Sequence, residues 1–213
     1  MTPKETALEI QAKHVIEAMK KRNFEAFYCA TKEDALNKAL SLIEKGSVVT
    51  NGGSVSIEEI GLLPYIKDHP DDYHFIDRSL AKTMEEKRQC HAQSVLADYY
   101  LMSANAFTKD GELVNIDGTG NRVSCLSFGP RHVIVVVSMN KMVSSVDEAY
   151  QRIRDYACPP NCIRLGLKTP CAITGFCKDC TSADSICADF VTKRMSRDPD
   201  RIKVILVGEP LGF

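Results

Sequence analysis

The amino-acid sequence predicts an α/β fold with three layers, in which helices cover a largely parallel or mixed sheet. Apolar runs of strand length alternate with amphipathic stretches along most of the chain, which is typical of strands joined by helices. The clearest strand, HVIVVVS at residues 132–138, is an unbroken run of β-branched side chains, which indicates burial on both faces of the sheet. A cysteine-rich segment near the C-terminus departs from this alternation and predicts a lobe attached to the α/β core.

In the first half of the chain, capping residues mark two helices. Residues 2–21 carry a helical apolar stripe, with Thr2 as the cap and Glu5 completing a capping box. A second helix is predicted to begin at Thr31 and to end at Gly46. The remaining elements predicted here are strands at 24–29, 47–51 and 73–77, a short helix after Gly53 and a long polar helix over 79–97.

The second half continues the same alternation. The run YYLMSANAF at 99–107 predicts a strand, and a turn leads from it into a further strand at 112–117. After the strand at 132–138, Ser145 and Glu148 predict a capping box for the next helix. The run IKVILVGE at 202–209 predicts the last strand. Residues 158–200 are rich in Cys, Pro, Asp and Ser and lack clear periodicity, so we expect residues 1–213 to form one domain with 158–200 as a lobe within it.

Composition and charge exclude several classes of function. A chain of 213 residues with 44% hydrophobic and 26% charged residues can bury a core. Its net charge of −1 argues against a general nucleic-acid binder. No apolar run approaches the roughly 18 residues of a transmembrane helix, and the charged N-terminus has no apolar segment typical of a secretory signal. We therefore expect a cytoplasmic location, where thiols stay reduced, and this disfavours disulfides.

Two glycine-rich loops are candidate anion sites. Gly52, Gly53 and Ser54 follow the strand at 47–51 and lead into a helix, which exposes backbone N–H groups and a hydroxyl at a strand end. The alternative is a tight turn with Ser54 as a helix cap. The second loop follows the strand at 112–117 and joins polar side chains to an arginine that can bind a carboxylate or phosphate. Its residues are Asp117, Gly118, Thr119, Gly120, Asn121 and Arg122. Its alternative is an exposed surface turn.

Three further polar residues are placed near these loops. Asn140 and Lys141 follow the strand at 132–138 and are therefore expected at the ligand-binding edge of the sheet, although these two residues on their own favour the alternative, an exposed loop lysine. Glu59 lies in the helix after the first loop and is a candidate nucleophile or base. A solvated helix face is the alternative for Glu59.

Four cysteines in the segment TPCAITGFCKDCTSADSIC predict a metal site. Cys171, Cys177, Cys180 and Cys187 have the number of thiolates that suits zinc or an iron–sulfur cluster, and Cys177-x2-Cys180 lets two thiolates face one metal. The spacing matches neither a zinc ribbon nor a ferredoxin. A redox dithiol and separately buried thiols are the alternatives. Cys158 and Cys162, just upstream, could replace one ligand or form a pair of their own.

Several long segments resemble the LUD-domain proteins, the lactate-utilisation family. The resemblance runs from about residue 10 to the C-terminus. It is carried by NGGSVSIEEIGLL, by NAFTKDGELVNIDGTGNRVSCLSFGPRHVIVVVSMNKMVSSVDEAYQRIR, by the cysteine segment and by ILVGEPLGF. It implies a fold similar to ribose-5-phosphate isomerase, glucosamine-6-phosphate deaminase and CoA transferases, whose glycine loops hold phosphorylated or CoA-linked ligands. On this resemblance, the two glycine loops, Asn140 and Lys141 are the ligand-binding positions, and Glu59 follows the first loop. The glutamate motif of CoA transferases is missing, which counts against acyl-CoA transfer.

Three functional hypotheses follow from the residues and the resemblance. The first is a protein of lactate or related organic-acid utilisation that binds a small anionic metabolite and carries an iron–sulfur cluster or zinc. The second is an isomerase or transferase that acts on a sugar phosphate or CoA ester, with Glu59 as base or nucleophile and with structural cysteines. The third is a non-catalytic subunit that docks a redox partner protein carrying an iron–sulfur cluster or flavin. A homo-oligomer is a further expectation.

Overall fold

The computed structural model describes residues 2–213, which form two sheets with helices around them. The helices are α1 (Pro3–Lys20), α2 (Lys32–Ser41), α3 (Val55–Glu59), α4 (Leu62–Asp68), α5 (Met84–Val95), α6 (Asn121–Ser127), α7 (Val146–Arg152), α8 (Cys158–Arg164) and α9 (Pro170–Thr174). The strands are β1 (Glu25–Cys29), β2 (Val48–Asn51), β3 (His74–Ile76), β4 (Tyr99–Met102), β5 (Ala106–Thr108), β6 (Leu113–Asp117), β7 (His132–Ser138), β8 (Met142–Val143), β9 (Asp189–Lys193) and β10 (Ile202–Val207).

The larger sheet has six parallel strands in the order β1-β10-β7-β4-β2-β3. Strand β7 lies inside this sheet, and its β-branched side chains alternate between two apolar layers. Val133, Val135 and Val137 pack with α1, whereas Ile134 and Val136 pack with α2, α3 and α4. The predicted α/β fold with a mostly parallel, three-layer arrangement is confirmed, because an unbroken apolar strand needs cover on both faces.

The smaller sheet has four strands in the order β8-β5-β6-β9 and mixed directions. Strand β6 pairs antiparallel with both β5 and β9, and β5 pairs parallel with β8. The strand predicted over 99–107 is therefore wrong as a single element, because β4 belongs to the large sheet and β5 to the small one. The chain changes sheets at 103–105, where the Asn105 side-chain oxygen accepts a hydrogen bond from the Ile116 N–H at 3.1 Å.

Capping explains where several helices begin, and it corrects two predictions. The Thr2 capping box on α1 is present as predicted. Helix α2 ends at Ser41 and not near Gly46, because the Leu42 N–H already closes the last turn and Gly46 instead donates to the Asp72 carbonyl at 2.7 Å. The helix predicted over 79–97 begins only at Met84, since a capping box at Thr83 starts α5 there. A separate 3-10 turn over Arg78–Leu80 precedes it.

The predicted lobe at 158–200 contains α8, α9, an irregular segment at 175–188 and β9. A π-helical turn, Ile153–Ala157, joins α7 to α8 without a break. Strand β9 pairs with the full length of β6, so the end of this region is part of the small sheet. Within residues 2–213, no helix combines the length and apolar character that a membrane crossing requires.

Candidate functional site

A cavity of about 410 Å³ lies at the carboxyl-terminal edge of the large sheet. Strands β2, β4 and β7 run parallel, so the residues that follow them meet at one edge, and β6 brings its own end to the same place. The structure brings most of the predicted ligand-binding residues to the wall of this cavity. They are Gly52, Gly53, Ser54, Asp117, Gly118, Thr119, Asn121, Arg122 and Lys141.

A larger surface hollow, of about 540 Å³, lies between α1 and Arg194. Exposed charged side chains such as Glu17 and Lys21 form much of its wall, and Glu17 is already paired with Lys20 at 2.7 Å. None of the residues predicted to bind a ligand lines this hollow. The cavity at the strand ends is therefore the candidate site.

The first loop is tightly packed against the floor of the cavity. A Cβ atom at position 52 would lie 2.8 Å from the Tyr100 hydroxyl and 2.9 Å from Cγ of Arg122, so only glycine fits there. Gly53 has φ +72°, which favours glycine for a different reason. The Ser54 side chain accepts from the Ile57 N–H and caps α3, so Ser54 both lines the cavity and starts the helix.

Arg122 forms the floor of the cavity, and its side chain is only 12% exposed. Its Nη1 and Nη2 atoms donate four hydrogen bonds of 2.5–3.1 Å, and its Nε lies 3.6 Å from Oδ2 of Asp117. The four acceptors are the carbonyl oxygens of Ser103 and Ile116 and the side-chain oxygens of Asn105 and Asn115. Burial lowers the pKa of Arg122. Because both terminal nitrogens of Arg122 already donate to protein acceptors, Arg122 holds the surrounding loops in place. The positive charge available to a ligand therefore comes from other residues.

Lys141 supplies a buried ammonium group to the cavity. The residue is 4% exposed, and its Nζ donates to Oγ of Ser56 at 3.2 Å. Within residues 2–213, no carboxylate forms a salt bridge with it. Burial, and then the nearby charge of Arg152, lower the pKa of Lys141 to about 8, while Glu59 acts in the opposite direction. A buried cation without an anionic partner is costly, so an anionic ligand would stabilise it.

Asp117 supplies an unsatisfied acceptor to the same cavity. Its Oδ1 accepts from the backbone N–H groups of Thr119 and Gly120, both at 3.2 Å. The residue is only 7% exposed, and its Oδ2 accepts no hydrogen bond in the part of the chain that the structure describes. An unpaired buried acceptor costs about 1–3 kcal/mol. A ligand hydroxyl that donates to Oδ2 would remove this cost once a small shift of the cavity wall exposes the atom, which water does not reach in this structure.

Two arginines of the cavity wall were missed by the sequence analysis. Arg78 follows β3, and its Nη1 lies 3.4 Å from the point where a Cβ on Gly53 would stand. The position of Arg78 directly after a strand was a usable signal, since β3 ends at the same edge of the sheet as β2. Arg164 on α8 donates to Oδ1 of Asn161 and also lines the cavity, but no local pattern in the sequence places it there.

Three predicted site residues lie outside the cavity wall. Glu59 accepts a hydrogen bond from the Gly212 N–H at 2.8 Å and thereby holds the C-terminal residues that do line the cavity. Asn140 lies in a 3-10 turn, where its carbonyl accepts from Arg152 at 3.4 Å. Gly120 caps α6 with φ +72°. The geometry gives these residues positioning roles around the site.

The sulfur atoms of the predicted metal ligands Cys177 and Cys180 each accept a hydrogen bond within their own turn. The Cys177 sulfur accepts from the Asp179 N–H at 3.4 Å, and the Cys180 sulfur accepts from the Ser182 hydroxyl at 3.7 Å. Among residues 2–213, no group of three His, Cys, Asp or Glu side chains is arranged to hold a metal ion. These residues therefore do not fit an iron–sulfur cluster or zinc as they are arranged here, and that site stays a prediction.

The other two predicted ligands pair with different neighbours. Cys171 lies 3.2 Å from the Thr169 hydroxyl, and Cys187 lies 3.5 Å from the Cys158 sulfur. The hydrogen bond between these last two thiols raises the pKa of Cys158 and lowers the pKa of Cys187. Cys162 is buried beside Cys171. The thiols that meet thus include both upstream cysteines.

Comparison with known proteins identifies the family. The profile of the LUD domain matches residues 12–207, which is most of the chain. The chain belongs to the LUD-domain family. The LUD-domain fold is shared with a DUF162 family protein from Deinococcus radiodurans, at 16% identity and a TM-score of 0.51, over 95% of this chain and 98% of that one. A ribose 5-phosphate isomerase A from Neisseria gonorrhoeae is similar over 53% of each chain, at 13% identity and a TM-score of 0.35. No curated protein matches the sequence significantly.

Proposed function

We propose that this LUD-domain protein binds a small hydroxylated organic anion, of the hydroxy-acid class that includes lactate, in the cavity at the strand ends. One observation carries the proposal. The cavity joins the buried ammonium of Lys141, which forms no salt bridge among residues 2–213, to the Oδ2 atom of Asp117, which accepts no hydrogen bond there and lies 3.6 Å from Nε of Arg122. A ligand with a carboxylate and a neighbouring hydroxyl satisfies both groups at once.

Sugar phosphates are a second candidate ligand class, favoured by the size and charge of the wall. A cavity of about 410 Å³ is larger than a three-carbon acid requires. Arg78 and Arg164 also line the cavity. They add positive charge to its wall, away from the floor, which is formed by Arg122. A phosphorylated sugar would use these arginines for its phosphate and Asp117 for a hydroxyl. The association with lactate utilisation and with a redox partner protein rests on the family resemblance alone.

Paired ligands test the proposal directly. Isothermal titration with L-lactate and propionate, which differ by one hydroxyl, measures the contribution of the Asp117 acceptor, and we expect lactate to bind more tightly. Ribose 5-phosphate against ribose tests the second class. If the phosphate ester binds and lactate does not, the second class replaces the first. If no hydroxylated anion binds, the proposal fails.

Substitution of Lys141 tests the charge that the proposal requires. Lys141→Met keeps the apolar stem but removes the ammonium, and we expect affinity for the anion to fall at least tenfold, since a hydrogen bond to a charged group contributes about 1.5–3 kcal/mol. Lys193→Met is the matched control, because Lys193 on β9 is also partly buried but donates to the Ser127 carbonyl, away from the cavity. Equal affinities for Lys141→Met and the wild-type chain would contradict the proposal.

A further inference from the structure

Two thiols meet directly behind the wall of the cavity. Cys158 is the first residue of α8, and Cys187 lies 29 positions further along, at the end of the irregular segment. Their sulfur atoms are 3.5 Å apart, and both are free cysteines. This separation is van der Waals contact, and a covalent bond of about 2.05 Å requires the sulfurs to approach each other by about 1.5 Å.

The two thiols differ in how far solvent reaches them. Cys158 is 4% exposed and packs in the apolar cluster with Ala157 and Ile153, whereas Cys187 is partly exposed at the edge of that cluster. A small oxidant can therefore reach Cys187 but not Cys158. A reachable sulfur beside a buried one is the arrangement of an attacking and a resolving cysteine.

We propose that Cys158 and Cys187 form a redox-active dithiol that becomes a disulfide by exchange with a low-molecular-weight disulfide. The Cys187 thiolate attacks one sulfur of the small disulfide, whose S–S bond breaks, and one small thiolate leaves. The Cys158 thiol attacks the sulfur of Cys187, the bond from Cys187 to the small group breaks, and the proton of Cys158 passes to the second small thiolate as it leaves. The protein loses two electrons, and the small disulfide gains them as two thiols.

The location of the pair connects it to the candidate site. Ala157 and Ile186, the residues just before the two cysteines, both line the cavity. The N–H of Ala188, which follows Cys187, donates to the Asp117 carbonyl at 3.0 Å. A bond between the two sulfurs would therefore tie α8 to the loop that carries the unpaired acceptor. This inference does not depend on which ligand the cavity binds.

Peptide mapping of the wild-type chain tests the proposal. The full chain, reduced and then freed of reductant, is incubated with glutathione disulfide, blocked with N-ethylmaleimide in denaturant, so that buried thiols also react, and digested. We expect two of the nine cysteines to escape alkylation and one cross-linked peptide pair that joins Cys158 to Cys187. We also expect thermal unfolding of the oxidised chain to shift upward by about 5 °C or more. A cross-link between Cys177 and Cys180, or none at all, would overturn the proposal.

Single substitutions identify the order of the two steps. In Cys158→Ser the resolving thiol is missing, so we expect one glutathione to stay attached at Cys187. In Cys187→Ser we expect neither the mixed nor the internal disulfide, and Cys90→Ser on α5 is the control that keeps the full reaction. Metal analysis of the same preparations tests the alternative that these thiols bind a metal ion. One zinc or iron ion per chain that disappears in Cys158→Ser would make these thiols metal ligands and would refute a free dithiol.

Discussion

The cavity and the cysteine segment are neighbours, but they are held in place by different means. The cavity wall follows the ends of parallel strands, and its floor is fixed by the four hydrogen bonds of Arg122. The segment at 175–188 has no helix or strand; turns such as Asp179 with Cys177 alternate with single contacts to distant parts of the chain, such as Ala188 with Asp117. Aligned strand ends therefore define the first region, and turns with separate long-range contacts define the second.

This difference shows when spacing along the chain is a reliable guide to geometry. At the cavity, residues far apart in sequence meet because the sheet aligns the strand ends. In the cysteine segment, Cys177 and Cys180 accept hydrogen bonds from different neighbours, whereas the sulfurs of Cys158 and Cys187, 29 positions apart, are in contact. Proximity in sequence fixes the position of a side chain only when the backbone between the residues has a defined conformation.

The largest expected effect is on the floor of the cavity. Arg122→Met would remove four hydrogen bonds and the positive charge beside the Asp117 carboxylate, so we expect the free energy of unfolding to fall by about 3–5 kcal/mol in chemical denaturation. Arg88→Met on α5, where the side chain is exposed, is the control and should change stability by less than about 0.5 kcal/mol. If both variants changed the free energy of unfolding by less than about 0.5 kcal/mol, the hydrogen bonds of Arg122 would contribute no more to stability than the turns of the cysteine segment.

The second effect concerns the charge in the cavity and depends on pH. The pKa of Lys141 is lowered to about 8 by burial, so its protonated fraction in the free protein falls as pH rises through that value. Anion affinity should fall about tenfold between pH 7 and pH 9, measured by titration with an anion that stays ionised throughout. The Lys141→Met variant should lose this dependence. Unchanged wild-type affinity across this range would show that Lys141 is not the anion-binding group.

The smallest effect is expected in the cysteine segment. The double variant Cys177→Ser/Cys180→Ser removes two thiols that contact only their own turns, so the free energy of unfolding should change by less than about 0.5 kcal/mol. The disulfide between Cys158 and Cys187 should still form in this variant. Strong destabilisation together with loss of a bound metal would instead restore the four-ligand site predicted from the spacing.

The sequence predicted the parts of the molecule that depend on local patterns and on general rules of sheet topology. Strand β7 was identifiable from its β-branched run, and α1 from its capping box. The meeting of the two glycine loops followed from their positions after strands. These inferences succeed because each depends on a strong, short-range preference of the backbone.

The remaining features depend on tertiary contacts that no local pattern encodes. The change of sheet between β4 and β5 is set by the hydrogen bonds of Asn105 with β6. Arg122 was predicted as an anion ligand, but the acceptors that use its donors come from distant residues. Likewise, nothing in the spacing of the cysteines indicated that Cys158 faces Cys187.

The π-helical turn at Ile153–Ala157 makes chain length itself a determinant of the site. Such a turn holds one residue more than an α-helical turn, and α7 and α8 continue from it in both directions. Deleting a single residue there would rotate α8 by about 100° about its axis. Cys158, Asn161 and Arg164 follow one another at intervals of three along α8. The rotation would therefore turn Asn161 and Arg164 away from the cavity and Cys158 away from Cys187. The rotation of α8 about its axis thus determines which of its residues line the cavity and whether Cys158 meets Cys187. An insertion or deletion in the π-helical turn would change both at once.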